Sequence, residues 1–210
     1  MSASGISQPA AKALELLSKF PWLEQFYLAG GTALAIQIQH RLSFDLDFFS
    51  QKEFDHVVIN GDLVGLDNYR LDRMEKNTLL GIIDQTKISF FTYKYKMVSD
   101  FVPWGGIKLA GLPDIAAMKI EAIGGRGTKR DFVDLYFICQ QYPIEQAFDC
   151  CLEKFGERAN NVFHLIKSLQ YFDDAESSPQ ELRMLKPVRW LEVKRFFIKS
   201  TNDLADKYLK

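Results

Sequence analysis

The chain is short of most features that would mark a specialised class of protein. It has three cysteines in 210 residues, Cys139, Cys150 and Cys151. Their number is odd, two are adjacent and none has a metal-ligand spacing, so the sequence writes neither a disulfide framework nor a zinc site. A reducing cytoplasm is the expected compartment. Charge of one sign is also lacking, since 26 Lys and Arg stand against 27 Asp and Glu for a net charge of −1. No global basic field draws in nucleic acid, and any RNA contact has to be local. No apolar run reaches membrane-spanning length. Met1 to Gln8 is small and polar where an export signal would carry charge and then a hydrophobic stretch. Repeats and low-complexity tracts are missing too. These absences set aside a membrane protein, a secreted disulfide scaffold and a solenoid.

What remains is a chain with 47% hydrophobic residues, enough core for one large domain or two small lobes. Periodicity divides it. Pro9 to Phe20 repeats Ala and Leu at helical spacing. Phe26 to Ala29 is apolar, as a buried strand is, and Glu53 to Leu66 reads mostly as helix. Arg70 to Glu75, Thr78 to Ile83 and Lys87 to Tyr93 read as an antiparallel meander with turns at Lys76-Asn77 and Asp84-Gln85. Beyond Gly111-Leu112-Pro113 the pattern is helical throughout. The expected architecture is an α/β (α+β) lobe over 1–111 and a helical lobe over 112–210, with Gly105-Gly106 and Pro113 near the junction.

Within the first lobe, Gly30-Gly31-Thr32 and Asp45-Leu46-Asp47 stand apart, with room between them for a helix of about eight residues and a turn. The glycines end a strand with residues that readily take unusual backbone angles, and Thr32 is placed to cap the helix that follows. The first N–H groups of such a helix face outward and favour an anion such as a phosphate. Phe44 to Phe48 alternates, so Asp45 and Asp47 fall on one strand face and Phe44, Leu46 and Phe48 on the other. Two parallel carboxylates suit a hard divalent cation shared with substrate phosphates. The plain alternative is the polar face of a half-exposed strand.

The helical lobe holds two anomalies. Asp114 after Pro113 reads as an N-cap, and Ile115, Met118, Ala122 and Ile123 form one stripe with Lys119 in its middle. A lysine there snorkels, pairs with an acid or reaches an anionic ligand. The next helix, from about Thr128, is apolar nearly all round yet carries Asp131 and Asp134, which need partners. Lys119, Arg126 and Arg130 are the nearest in sequence. Arg130 and Asp134 also have the spacing of an ordinary i,i+4 pair. Gly124-Gly125-Arg126-Gly127 between the two helices reads either as a helix stop or as a basic phosphate contact. Further on, Asp173 to Gln180 reads as a polar loop. Pro187 is expected to open a last helix whose Arg189, Lys194, Arg195 and Lys199 form a solvated charged face or meet an RNA acceptor.

The blocks GGTALA, HRLSFDLDFF and DIAAMKIEAIGGRGTKRDFVDLYFI resemble the nucleotidyltransferase-like AbiEii/AbiGii abortive-infection toxins, within the DNA polymerase β-like nucleotidyltransferase superfamily. The blocks span about residues 26 to 138. The resemblance implies a small mixed, twisted sheet with flanking helices and an active-site cleft completed by the helical lobe. It implies that Gly30, Gly31 and Thr32 cradle the phosphates of a nucleoside triphosphate (NTP), that Asp45 and Asp47 hold magnesium, or manganese in its place, and that Lys119 contacts the triphosphate. Asp134 would be the late catalytic acid, Arg126 and Arg130 further phosphate contacts, and His40, Arg41, Ser43 and Asp131 supporting residues. The implied reaction moves a nucleoside monophosphate to a hydroxyl of tRNA or, second, of a protein side chain, in a toxin with a cognate antitoxin. Two positions depart from the pattern. Ser89 stands where a later strand often supplies a third carboxylate, and Ala35 and Ile36 stand where a polar residue follows the glycine turn. A catalytically silent nucleotide-binding or antitoxin-binding module on the same fold is the competing reading, and a structural protein whose acids merely pair with lysines and arginines is the third.

Overall fold

The computed structural model describes residues 5–156, 161–177 and 181–209. They sort into two compact units, one of residues 5–96 and 100–110, the other of 97–99 and the described residues from 111 to 209.

The first unit opens with α1 (Gln8–Leu17), where the Ser7 hydroxyl accepts from the Ala10 N–H and Ala10, Ala13, Leu14 and Leu17 turn to the core at helical spacing. After a 3-10 turn, Pro21–Gln25, come β1 (Tyr27–Leu28), α2 (Gly30–Ile38), β2 (Leu46–Ser50), α3 (His56–Val64), β3 (Tyr69–Glu75), β4 (Thr78–Ile83), β5 (Thr86–Thr92), β6 (Val102–Trp104) and β7 (Ile107–Leu109). The strands form one seven-stranded mixed sheet in the order β3-β4-β5-β2-β1-β7-β6. The meander β3-β4-β5 is antiparallel, with Asn77 and Asp84 at left-handed φ in its two turns. β5 then runs parallel to β2, and β7 parallel to β1. Leu46, Phe48, Leu79, Ile83, Ile88 and Phe90 are buried on one face, where Phe48 stacks on Phe90 at 5.1 Å between ring centroids.

One expectation needs correcting here. Phe44 does not join Leu46 and Phe48 in the core: β2 begins two residues later, and Phe44 is 40% exposed. Gly105-Gly106 forms the turn of the β6–β7 hairpin, with φ of 57° and 84°. Glu53 to Leu66 is mostly helix, as expected: α3 begins where the Asp55 carboxylate caps it, accepting from Val57 and Val58 N–H.

The second unit contains α4 (Leu112–Arg126), α5 (Lys129–Cys139), α6 (Ile144–Phe155), α7 (Val162–Ser168), α8 (Asp173–Ser177) and α9 (Trp190–Tyr208). α4 packs against α5, α6 and α7, and α9 against α5 and α7. Phe132 anchors the aromatic core, with Phe172 and Phe197 at 5.1 and 5.3 Å. Asp114 is not an N-cap. Gly111 takes that position, and buried Asp114 accepts from Val98 N–H (3.1 Å), Ser99 N–H (3.0 Å), the Ser99 hydroxyl (2.6 Å) and Lys154 Nζ (2.8 Å). It thereby fastens residues 97–99 to the helices. The Gly124-Gly125 pair lies inside α4 rather than in a turn, and a methyl group on Gly124 would meet Leu165 Cδ2 at 2.7 Å, so that glycine admits α7 to close packing. The segment expected as a polar loop holds α8 over Asp173–Ser177, and 178–180 lie outside the described residues. α9 starts at Trp190 rather than Pro187, because Arg189 and Glu192 close its first turn.

Candidate active site

The glycine turn and the acids meet inside the first unit. Gly30 is held at φ +65°, a left-handed angle that a side chain resists, and this lets the chain leave β1 and enter α2 at once. Ala29 N–H donates to Asp47 O at 3.1 Å, so the turn is tied to β2. A methyl group on Gly30 would stand 3.8 Å from Asp47 Oδ2. The carboxylate and the start of the helix therefore share one small space.

Thr32 does not cap the helix as expected. Ala29 is the N-cap and Thr32 lies within the first turn, buried. Its hydroxyl donates to the Asp45 carbonyl and lies 2.7 Å from the Ser43 hydroxyl. A threonine Oγ has one proton, so with that proton on Asp45 O the Ser43 hydroxyl is the donor in the second bond. Thr32 and Ser43 thus fix the backbone that carries Asp45. His40 and Arg41 are also buried, at 0% and 2% exposure, in the bend that follows α2, where Gln39 is left-handed. Arg41 Nη1 donates to Leu42 O at 3.2 Å. Arg41 thereby braces the loop that leads to Asp45.

Asp45 precedes β2 and Asp47 lies within it, both half-buried, on either side of fully buried Leu46. Across the parallel ladder Asp47 is in register with Ser89. Among the described residues no three His, Cys, Asp or Glu side chains converge as a metal site. Two carboxylates with no third protein ligand still fit magnesium, which is commonly held by one or two acids together with substrate phosphates. Manganese takes the same oxygen donors.

The second cluster lies within the second unit. Lys119 Nζ is 2.8 Å from Asp131 Oδ1 and 2.7 Å from Asp134 Oδ2. The other oxygen of Asp131 accepts from the Thr128 hydroxyl (2.6 Å) and N–H (3.3 Å), closing a capping box at the start of α5. Burial by itself lowers the Lys119 pKa, but the charges and hydrogen bonds of Asp134 and Asp131 outweigh it, and the ammonium stands above the usual lysine value. Of the three fates open to Lys119, the geometry has the ion pair. Arg126 is exposed at the end of α4 and Arg130 is half-buried on α5. Periodicity did not single out Lys154. It sits on the α6 stripe with Ala147, Phe148, Cys151 and Phe155, the same signal that marked Lys119.

A sequence profile of the AbiEii family, described as "Nucleotidyl transferase AbiEii toxin, Type IV TA system", matches residues 12–108 and 97–209. An uncharacterized protein of Aquifex aeolicus (strain VF5), aq_aa25, is 37% identical over 199 residues, covering 93% of this chain and 95% of that one. The crystal structure of JHP933 from Helicobacter pylori superposes with a TM-score of 0.56 at 17% identity, over 96% of this chain and 94% of the other. MenT4, the nucleotidyltransferase toxin Rv2826c from Mycobacterium tuberculosis H37Rv, gives 0.49 at 14% identity, over 86% and 76%.

Proposed function

For a chain that belongs to the AbiEii family of nucleotidyltransferase toxins, we propose that the reaction is magnesium-dependent transfer of a nucleoside monophosphate from an NTP to a hydroxyl of an acceptor, tRNA first and a protein side chain second. The observation that carries this reading is the closeness of the Gly30 turn to Asp47, because phosphate and metal ligation need those two features side by side. The first N–H groups of α2 bind phosphate oxygens of the NTP, with Gly30 and Gly31 leaving room for them. Asp45 and Asp47 hold the metal. Bound there, magnesium offsets charge on the phosphates and promotes ionisation of the attacking hydroxyl.

In this reading Lys119 is the contact to the triphosphate and Asp134, its ion-pair partner, is the late catalytic acid. Arg126 and Arg130 add phosphate contacts. A bond forms between the acceptor oxygen and the α-phosphorus as the bond to the leaving oxygen breaks. The products are the nucleotidylated acceptor, pyrophosphate and a proton. The setting is the cytoplasm, with an antitoxin as the opposing partner.

Ser89, in register with Asp47 where a third acid would complete a larger metal site, favours a second reading, a binding module without turnover. One experiment separates the two: label from each α-labelled NTP is followed onto total tRNA and onto protein, with magnesium, for wild type and for Asp45→Ala/Asp47→Ala. Labelling by wild type alone supports the transferase and names its base and acceptor class. Absence of labelling where nucleotide demonstrably binds overturns the transferase in favour of the module.

A further inference from the structure

The sheet ends on one side in β3, and that edge is open: apart from half-buried Tyr69, every residue of the strand is exposed. An uncovered edge of seven residues offers unpaired N–H and C=O groups to another chain, and proteins usually blunt such edges with charge or a bulge. β3 has both, arranged so that they match β3 itself.

The register with β4 sets Arg70, Arg73 and Glu75 opposite Ile82, Leu80 and Thr78, and Leu71 and Met74 opposite Gly81 and Leu79. The charged residues therefore share one face and the apolar two share the other. Asp72 is the extra residue where the register shifts. A two-fold axis normal to the sheet, passing between Asp72 and Arg73, lays the strand antiparallel on its own copy. Arg70 then faces Glu75, Leu71 faces Met74 and Asp72 faces Arg73, each pair occurring twice.

In an unbroken strand, residues three or five apart point to opposite faces, and this match would fail. The inserted residue is what brings Arg70 and Glu75 to one face and Leu71 and Met74 to the other. Both apolar members are exposed, at 39% each. Beside them α3, joined to the strand by Tyr69 Oη donating to Asn60 Oδ1 at 2.9 Å, exposes Val57, Val58 and Val64, an apolar surface that a solitary surface helix does not need. Arg73 is paired at 2.8 Å with Glu75 of its own strand, but both are more than half exposed, and such a pair gives way at little cost.

We propose that this chain forms a two-fold homodimer by antiparallel pairing of β3 with β3 of a second copy, joining the two sheets edge to edge. Sedimentation equilibrium of the full chain tests it, with a concentration-dependent exchange between the 24.1 kDa chain and a species of twice that mass as the expected result. Asp72→Arg sets like charges opposite each other twice and is expected to weaken association by about tenfold or more. The exchange Asp72→Arg/Arg73→Asp restores the complement and the dimer, and an unchanged circular dichroism spectrum and melting temperature show that both variants fold. A single 24.1 kDa species up to about millimolar concentration overturns the proposal. So does a dimer indifferent to Asp72→Arg, or one that the folded charge exchange fails to restore.

Discussion

Gly30 and Asp47, 17 positions apart in the chain, meet so closely that a methyl group on the glycine would stand 3.8 Å from the carboxylate. That distance is an ordinary contact, so Gly30→Ala is not excluded by space. Its cost comes from φ +65°, about 1–2 kcal/mol for a residue with a side chain. The variant is expected to melt about 2–8 °C lower. Gly31 does not share the left-handed angle, and Gly31→Ala should lose less stability. Thermal unfolding of the two variants side by side checks this, and equal losses would sink the backbone argument.

Lys119 lies between two carboxylates, one of them fully buried, so its removal strands charge in the core. Lys119→Met should cost about 3–5 kcal/mol in urea unfolding. The pH dependence follows from the raised pKa. A lysine whose folded pKa exceeds its unfolded value contributes stability that is fully present below the unfolded pKa, about 10.4, and is lost as pH rises through the folded value. On the alkaline side the difference between wild type and Lys119→Met is therefore expected to hold to about pH 9 and to shrink above about pH 10. A difference that shrinks as pH rises from about 7 to 9 would contradict the raised pKa.

Much of this was legible because the signals are local. The alternation through Leu46 and Phe48, the turns at Asn77 and Asp84 and the placing of Lys119 on an apolar stripe are set by neighbours in sequence. The resemblance singles out Ser89, as the position where a later strand often supplies a third carboxylate, and the ladder sets it beside Asp47. The misreadings share a different cause. Asp114 and Thr32 both carry the composition of a cap, but their oxygens are claimed by groups from elsewhere in the chain: Ser99 and Lys154 for one, Ser43 and the Asp45 carbonyl for the other. Strands β6 and β7 have three residues each, too few for a period, and they exist because β1 offers an edge to pair with. Lys154 is a different case, since its place on the apolar stripe of α6 is a local signal of the same kind as that of Lys119.

Asp114 and Lys154 are both fully buried at 2.8 Å, and the carboxylate also holds the N–H groups of Val98 and Ser99. Lys154→Met leaves that carboxylate with hydrogen bonds but no countercharge, a loss of about 3–5 kcal/mol. Lys154→Met/Asp114→Asn removes both charges and should recover part of it. Hydrogen exchange supplies a local reading, because the amides of Val98 and Ser99 should lose protection in Asp114→Ala more than in Lys154→Met. Equal protection in the two would mean that Asp114 does not anchor the segment.

Ser89 sits beside Asp47 in the ladder, so in the proposed site a hard cation would have two protein carboxylates and whatever the substrate brings. Magnesium alone should then bind wild type weakly, and NTP and magnesium should each strengthen the other's binding. Ser89→Asp adds a third carboxylate on the same face, which crowds negative charge when no metal is present. The variant is expected to melt below wild type in chelator and to bind magnesium or manganese alone about tenfold or more tightly. Calorimetric titration of each metal without nucleotide, with melting in chelator alongside, reads both effects independently of turnover. If Ser89→Asp lowers stability yet gains no metal affinity, the side chain at position 89 does not reach the ion proposed at Asp45 and Asp47, and the serine carries no explanation for the chemistry of this site.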